Sequence, residues 1–278
     1  MRVAIFGGTS YIGRRIVESL IKRGCEIIIL HRESSNIKCF NSNSIKYINI
    51  DRVSINLEQV DTLVNLACIY EKEGIDINEL YDVNFNKAID LLKLAIQFSV
   101  KEYLYINTGL PKFTNMYSLS KHQFAEVGKF FAERNQIQFT NVLLENYYGP
   151  DEPKDRFIPT LIDLMSRGID IKLTRGTQKR DFIFIDDVIN IITRIIFIDN
   201  KPNYYVFPLG TGTNIRVSDF VRLIHTELNS NSNLLFGSIP TRFYEPETKA
   251  DINEIKKLNY ELQYDYISGI RKLLRRKE

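Results

Sequence analysis

Val3-Ala4-Ile5-Phe6-Gly7-Gly8-Thr9-Ser10-Tyr11-Ile12-Gly13 is the stretch that decides the fold. The apolar run Val3 to Phe6 is strand-like, and the glycine turn after it opens a helical pattern that continues through Arg23. A second apolar strand, Glu26 to Leu30, follows. Strand, tight turn, helix start and strand together form the geometry that lays a dinucleotide pyrophosphate on the N–H groups of a helix N-terminus. A Cβ at the glycines would hold a phosphate off the backbone. Its position at the head of the chain, in this full context, favours a nucleotide site over a merely structural glycine turn.

Strand-like runs recur at residues 2–6, 26–30, 46–50, 61–66, 102–106 and 139–144, with helical patterns at 13–23, 78–98, 117–135 and 156–168. Such alternation signals parallel βαβ units, so an α/β fold is expected: a Rossmann-type doubly wound parallel sheet. Past Gly149-Pro150 the pattern loosens into shorter strands (170–173, 182–185, 204–207, 234–236) among helices near 186–199, 216–229 and 265–276. Two domains are therefore expected. Residues 1–150 would bind the dinucleotide, and residues 151–278 would form a smaller, partly interwoven α/β domain for the substrate.

Composition agrees. A chain of 278 residues with 44% hydrophobic content supplies a sizeable core. A net charge of +3 gives no global field toward nucleic acid or a membrane surface, and neither partner is expected. There is no signal-peptide pattern and no apolar run that could span a bilayer. Cys25, Cys39 and Cys68 and His31, His122 and His225 lack metal-ligand spacing, so free thiols in a reducing cytoplasm are expected.

Tyr117 and Lys121 lie four apart in a helical pattern and share a face. The lysine's charge lowers the phenol's pKa, which lets Tyr117 pass a proton near neutral pH. The spacing also arises by chance on surface helices. What selects this pair is its place after the fifth strand, beside the carboxyl ends where a dinucleotide's reactive ring lies in such folds.

The glycine turn, the Tyr-x-x-x-Lys helix and the strand order resemble the extended short-chain dehydrogenase/reductases, which act mostly on nucleotide sugars. Further segments match in order: Asn65-Leu66-Ala67, Asn84-Phe85-Asn86 with Leu91-Leu92, Asn146-Tyr147-Tyr148-Gly149-Pro150, Arg180 to Asp187, and Leu209-Gly210-Thr211-Gly212 with Val217-Ser218. Within the family, Ile106 to Pro111 and Lys172 to Phe182 look like 4-ketoreductases of nucleotide-linked 4-keto-6-deoxyhexoses. The resemblance implies NADPH-dependent reduction of such a ketone, in the making of deoxysugars for surface polysaccharides. It implies that Tyr117, Lys121 and Thr108 are catalytic. It assigns the cofactor to Gly7, Thr9, Ser10, Tyr11, Ile12, Gly13, Arg32, Asp51, Leu66, Ala67, Asn84 and Lys121, and the nucleotide-sugar substrate to Cys68, Asn107, Asn146, Arg180 and Arg242. It also implies a homodimer through the helix of Tyr117, where Phe124, Val127, Phe130 and Phe131 are apolar, although core packing would need the same residues.

The chain also departs from the family. Ser10 stands where a glycine is usual; it fits if its φ stays negative, and its hydroxyl could donate to a phosphate. Leu143 replaces an Arg. Thr108 is the hydroxyl available before Tyr117, in a loop much shorter than usual, with Asn107 as the alternative donor. After the second strand, Arg32 suits a bidentate contact with a 2′-phosphate and Glu33 suits a ribose, so NADP(H) is expected ahead of NAD(H). Asp51 reads as an adenine-side carboxylate or a turn residue. Two alternatives stay open: an epimerase or dehydratase with tightly bound NAD, and a non-catalytic NADP(H)-binding protein. Gly109-Leu110 in place of a dehydratase's Asp-Glu, Arg32, and the retained Tyr117–Lys121 pair weigh against them. Asp186 and Asp187 read as helix N-caps, His122 and His225 as hydrogen-bonded or exposed, and Cys68 as more a packing residue than a reactive one.

Overall fold

The structure, a computed structural model, describes residues 1–40, 44–51, 55–72, 74–241 and 244–275. The chain forms two compact units, Met1–Leu143 with Ile189–Phe207, and Leu144–Val188 with Pro208–Glu278.

In the first unit, β1 (Arg2–Phe6), α1 (Tyr11–Lys22), β2 (Glu26–His31), β3 (Ile45–Asn49) and β4 (Thr62–Asn65) open the chain. A helical stretch follows: α2 (Ile77–Tyr81), a π-helical turn (Asp82–Asn86) and α3 (Lys87–Gln97). Then come β5 (Glu102–Thr108), α4 (Met116–Ala132) and β6 (Gln138–Leu144). The seven-stranded sheet has the order β10-β6-β5-β4-β1-β2-β3, where β10 is Tyr204–Leu209. β1 pairs parallel with β2 on one side and β4 on the other, so that Ile5 lies level with Ile29 and Val64. These strands are apolar runs because a parallel sheet is covered on both faces. The strand order reverses at β1, which places a crevice beyond its carboxyl end.

Residues 204–207, expected in the second domain, instead belong to this sheet's edge strand. The interweaving lies at residues 189–207, and it replaces a single boundary at 150. The physical reason is that β6 needs a partner. Phe139 N–H donates to Asn203 O at 2.7 Å, and Tyr204 stacks on Phe139 with centroids 6.2 Å apart. A buried ion pair joins Lys201 to Glu102. Lys201 Nζ also donates to Ile195 O at 2.9 Å, and Thr140 Oγ1 donates to Glu102 at 2.5 Å, so neither charge is left bare.

The core between sheet and α4 is aromatic. Tyr103 stacks on Phe139 at 5.5 Å, and Tyr105 meets Phe124 edge-on at 4.7 Å. Gly128 lets α4 approach: a Cβ there would lie 2.2 Å from the Phe139 ring. Phe124 is wholly buried, Val127 and Phe131 pack against the core, and Phe130 is 49% exposed, with the Arg134 guanidinium 3.5 Å from its ring centre. Of the four apolar residues suggested for a helix-to-helix interface, Phe130 alone is exposed.

The second unit is built on β7 (Asn146–Tyr148), α5 (Phe157–Ser166), β8 (Ile171–Leu173) and β9 (Lys179–Phe184), from which α6 (Ile185–Ile196) leads into the first unit. After β10 come β11 (Asn214–Arg216), α7 (Val217–Glu227), β12 (Leu234–Phe236), α8 (Asn253–Lys257) and α9 (Tyr266–Arg275). β9 is central, parallel to β7 and antiparallel to β11, and β8 pairs with β12. Phe182 stacks on Phe220 at 3.9 Å, and Tyr148 meets Phe184 and Phe220 edge-on at 5.5 Å each. Asp187 is not the N-cap expected of it. It is fully buried and accepts from Tyr260 Oη, Gln263 N and Tyr264 N, anchoring the segment before α9, while Asp186 pairs with Lys272 at 2.8 Å. His122 and His225 are hydrogen-bonded, to Leu110 O and Ser232 O, each at 2.8 Å. No helix among the described residues is long and apolar enough to cross a membrane, and no His, Cys, Asp and Glu among them cluster as metal ligands.

Candidate active site

The glycine turn is shaped by backbone packing. Gly7 has φ +83°, and a Cβ on it would lie 2.7 Å from Ala67 N. One on Gly13 would lie 2.2 Å from Gly7 O. The turn, the start of α1 and the end of β4 are thus pressed together, with Leu66 N–H on Phe6 O at 2.9 Å. Ser10 caps α1 with φ −72°, and its Oγ accepts from Gly13 N–H at 3.1 Å. A non-glycine residue is unstrained there. Ser10 is exposed, and its hydroxyl proton remains free to point outward beside the first-turn N–H groups of Tyr11 and Ile12.

At the end of β2, Glu33 is already committed. Its carboxylate accepts from Asn49 Nδ2 at 2.6 Å, and its N–H goes to Asp51 Oδ2 at 3.0 Å. The Arg32 N–H donates to Ser35 Oγ at 3.2 Å, and the guanidinium makes no hydrogen bond or ion pair among the described residues. Asp51 thus ties the ends of β2 and β3 together.

Tyr117 and Lys121 face one way from α4, whose start is fixed by a capping box between Asn115 and Ser118. Both are buried, Lys121 at 1% exposure. The Lys121 ammonium lies 4.2 Å from the centre of the Tyr105 ring and makes no hydrogen bond among the described residues. Burial pulls its pKa down to about 8, while nearby Cys68 raises it. The Tyr105 hydroxyl is held well above the ordinary phenol range, by burial first and then by Tyr117, Tyr103 and Cys68. The structure therefore brings Tyr117, Lys121, Cys68 and Tyr105 together.

Thr108 ends β5. Its N–H donates to Asn107 Oδ1 at 2.8 Å, and its Oγ1 accepts from Leu110 N–H at 3.2 Å, which leaves the hydroxyl proton to be given elsewhere. Asn107 faces the sheet network, donating to Asn141 Oδ1 at 3.1 Å. Asn84 sits in the π-helical turn with its amide fully used. It accepts from Ile69 N at 2.8 Å and donates to Ile69 O at 2.9 Å and to Ser120 Oγ at 3.2 Å. These bonds lock the loop after β4 to α4.

The remaining candidates lie in the second unit. Asn146 on β7 and Arg180 on β9 are half-buried. Between them in function is Asp181, fully buried, which accepts from Thr211 N and Oγ1, Gly212 N and Ala250 N and so fixes the loop after β10. Glu145 is also buried; Thr248 Oγ1 donates to it at 2.6 Å, and burial pushes its pKa up to about 7. Arg242 lies outside the described residues. No periodic signal marks Tyr105, Glu145 or Asp181 in the sequence, because each owes its place to contacts distant in the chain.

The tight glycine turn that opens α1, the Arg32 guanidinium with no hydrogen bond or ion pair among the described residues, and the buried Lys121 cation fit a nicotinamide dinucleotide. Comparison with known proteins agrees. Residues 3–210 match the model of the NAD dependent epimerase/dehydratase family. CDP-abequose synthase of Salmonella typhimurium (strain LT2) is 29% identical, with 99% of this chain and 97% of that protein covered. The enzyme of the same name from Salmonella muenchen is 28% identical over 100% and 98%. UDP-glucuronic acid 4-epimerase from Bacillus cereus, solved with UDP-glucuronic acid and NAD, superposes with a TM-score of 0.86 at 19% identity, covering 99% of this chain and 98% of that one, a likeness of fold. The chain belongs to the NAD dependent epimerase/dehydratase family.

Proposed function

We propose that this protein reduces the C4 ketone of a nucleotide-linked 4-keto-6-deoxyhexose, with NADPH as the reductant. The observation that carries the reading is the likeness to CDP-abequose synthases along the whole chain. Their name makes a CDP-linked sugar the first substrate to try.

The nicotinamide, when bound, supplies the hydride that forms the new C–H bond at C4. Tyr117 gives its phenolic proton to the former carbonyl oxygen, the C=O π bond opens, and the proton is replaced from solvent. Thr108 donates a hydrogen bond to the same oxygen as negative charge grows on it. Asn107 is the weaker choice for that role because its amide is tied to Asn141. Lys121 provides a buried positive charge beside the phenol and a donor for the nicotinamide ribose. Gly7, Thr9 and Ser10 to Gly13 hold the pyrophosphate at the start of α1, with Leu66 and Ala67 alongside. Asn84 acts by holding Ile69. Arg32 favours the 2′-phosphate, supported by its uncommitted guanidinium and by the engagement of Glu33 with Asn49. Asn146 and Arg180 take the diphosphate of the sugar nucleotide, and Cys68 lines the ketone's surroundings.

The test follows absorbance of NADPH, and of NADH in parallel, as purified protein is offered CDP-, dTDP-, GDP- and UDP-linked 4-keto-6-deoxyhexoses. The expected result is stoichiometric oxidation with one sugar, faster with NADPH. In Tyr117→Phe the rate falls about 100- to 10,000-fold, the usual worth of a positioned proton donor. NAD retained through purification, with an intact nucleotide sugar interconverted and no net oxidation, would replace this reading by an epimerase. Faster turnover with NADH would overturn the role given to Arg32.

A further inference from the structure

We propose that Tyr70, in the loop after β4, is the positioning residue for the Tyr117 phenol. The proposal rests on Tyr117 being the proton donor, as in the function proposed above. The two rings lie with centroids 4.9 Å apart and planes tilted by 37°, within the range of favourable offset aromatic pairs. Tyr117 is the second residue of α4, at a helix end where side chains are least constrained by the helix itself. Its phenol is useful only when held within about 0.5 Å and 10–20° of one geometry.

The loop carrying Tyr70 is fastened on both sides of it. Before it, Ile69 gives its N–H to, and takes a bond from, the Asn84 side chain at 2.8 and 2.9 Å. After it, Glu71 Oε2 accepts from the Met116 N–H, at the first residue of α4, at 2.8 Å. The circuit closes through the helix. Asn84 Nδ2 donates to Ser120 Oγ at 3.2 Å, and that hydroxyl donates to Tyr117 O at 2.8 Å. Tyr70 and Tyr117 are therefore referred to the same two anchors, Asn84 and the first turn of α4. The ring of Tyr70 has little freedom to leave the phenol it faces. The π-helical turn acquires a purpose in this arrangement, since it carries the amide that serves loop and helix at once.

The test uses the full chain in three forms, wild type, Tyr70→Phe and Tyr70→Ala, labelled with 3-fluorotyrosine. The Tyr117 resonance is assigned by its loss in Tyr117→Phe. Its line is expected to keep its position in Tyr70→Phe and to move or broaden in Tyr70→Ala. In the reductase assay, Tyr70→Ala is expected to lower kcat about 10- to 100-fold, as for other misplacements of about 1 Å, with KM for the nicotinamide unchanged. Tyr70→Phe should stay within about twofold of wild type, since it keeps the ring. A Tyr117 line that is identical in all three proteins overturns the proposal whatever the activity. So does a shifted line with kcat unaltered in Tyr70→Ala. A wild-type protein that reduces none of the sugars while the line moves as expected overturns the reductase reading, and leaves the placement of the phenol standing.

Discussion

The hydroxyl of Tyr105 is buried and meets no hydrogen-bond partner among the described residues, although the ring that bears it lies under Lys121. A buried hydroxyl without a partner costs about 1–3 kcal/mol, so something must be gained from the ring. The gain is a π face that stabilises an ammonium deprived of water, worth about 2 kcal/mol where desolvated. Tyr105→Phe keeps that face and removes the unmade bond. It is expected to raise the unfolding free energy by about 1–3 kcal/mol in urea titrations. Tyr105→Leu loses the face and should lower it. Residues of this kind are illegible in a sequence. Tyr105 reads there as one more apolar position in a strand, whereas Tyr117 and Lys121 announce themselves by a helical spacing at the mouth of a sheet. For Ser10 the sequence sets a condition, a negative φ if serine is to fit where glycine is usual, and the observed −72° meets it.

At the scale of elements, close approach between α4 and β6 rests on one absent methyl group. Gly128→Ala would put a Cβ 2.2 Å from the Phe139 ring, in a core where Tyr103, Phe124 and Tyr204 leave that ring no room to retreat. Overpacking of this sort costs about 1–3 kcal/mol, to be read as a lower denaturation midpoint at unchanged m-value. The long strands of the first sheet were legible because burial on both faces leaves continuous apolar runs. β7, β11 and α8 escaped because segments of 3, 3 and 5 residues that open on Asn carry no apolar run, whereas the equally short β12 shows as Leu234-Leu235-Phe236. The π-helical turn escaped for another reason. It adds one residue inside an otherwise regular apolar pattern, read as a single helix over 78–98, and only the bonds of the Asn84 amide reveal why it is there.

For the molecule as a whole, two buried carboxyls in the second unit set a dependence on pH. Burial raises both Glu145 and Glu152 from 4.5 to about 7. Folded protein therefore holds protons that the unfolded chain releases. The contribution of these two groups to stability is greatest below the unfolded value of 4.5 and is lost as pH rises through about 7, by up to about 3 kcal/mol for each group. Denaturant titrations between about pH 5 and about pH 8 should show this decline, and Glu145→Gln should flatten part of it. The other whole-molecule feature is the passage of residues 189–207 back into the first unit, where β10 closes the sheet edge and Lys201 neutralises Glu102. Its consequence is evolutionary. On the proposal that the second unit takes the sugar nucleotide, relatives that differ in the sugar they accept would not exchange that preference through one crossover near the middle of the gene. A chimera that carries the whole second unit transplants 144–188 and 208–278 and leaves 189–207 in place, three junctions in all. New specificities in this lineage are therefore expected to arise by substitution within the chain, with recombination between distant members a poor route to them.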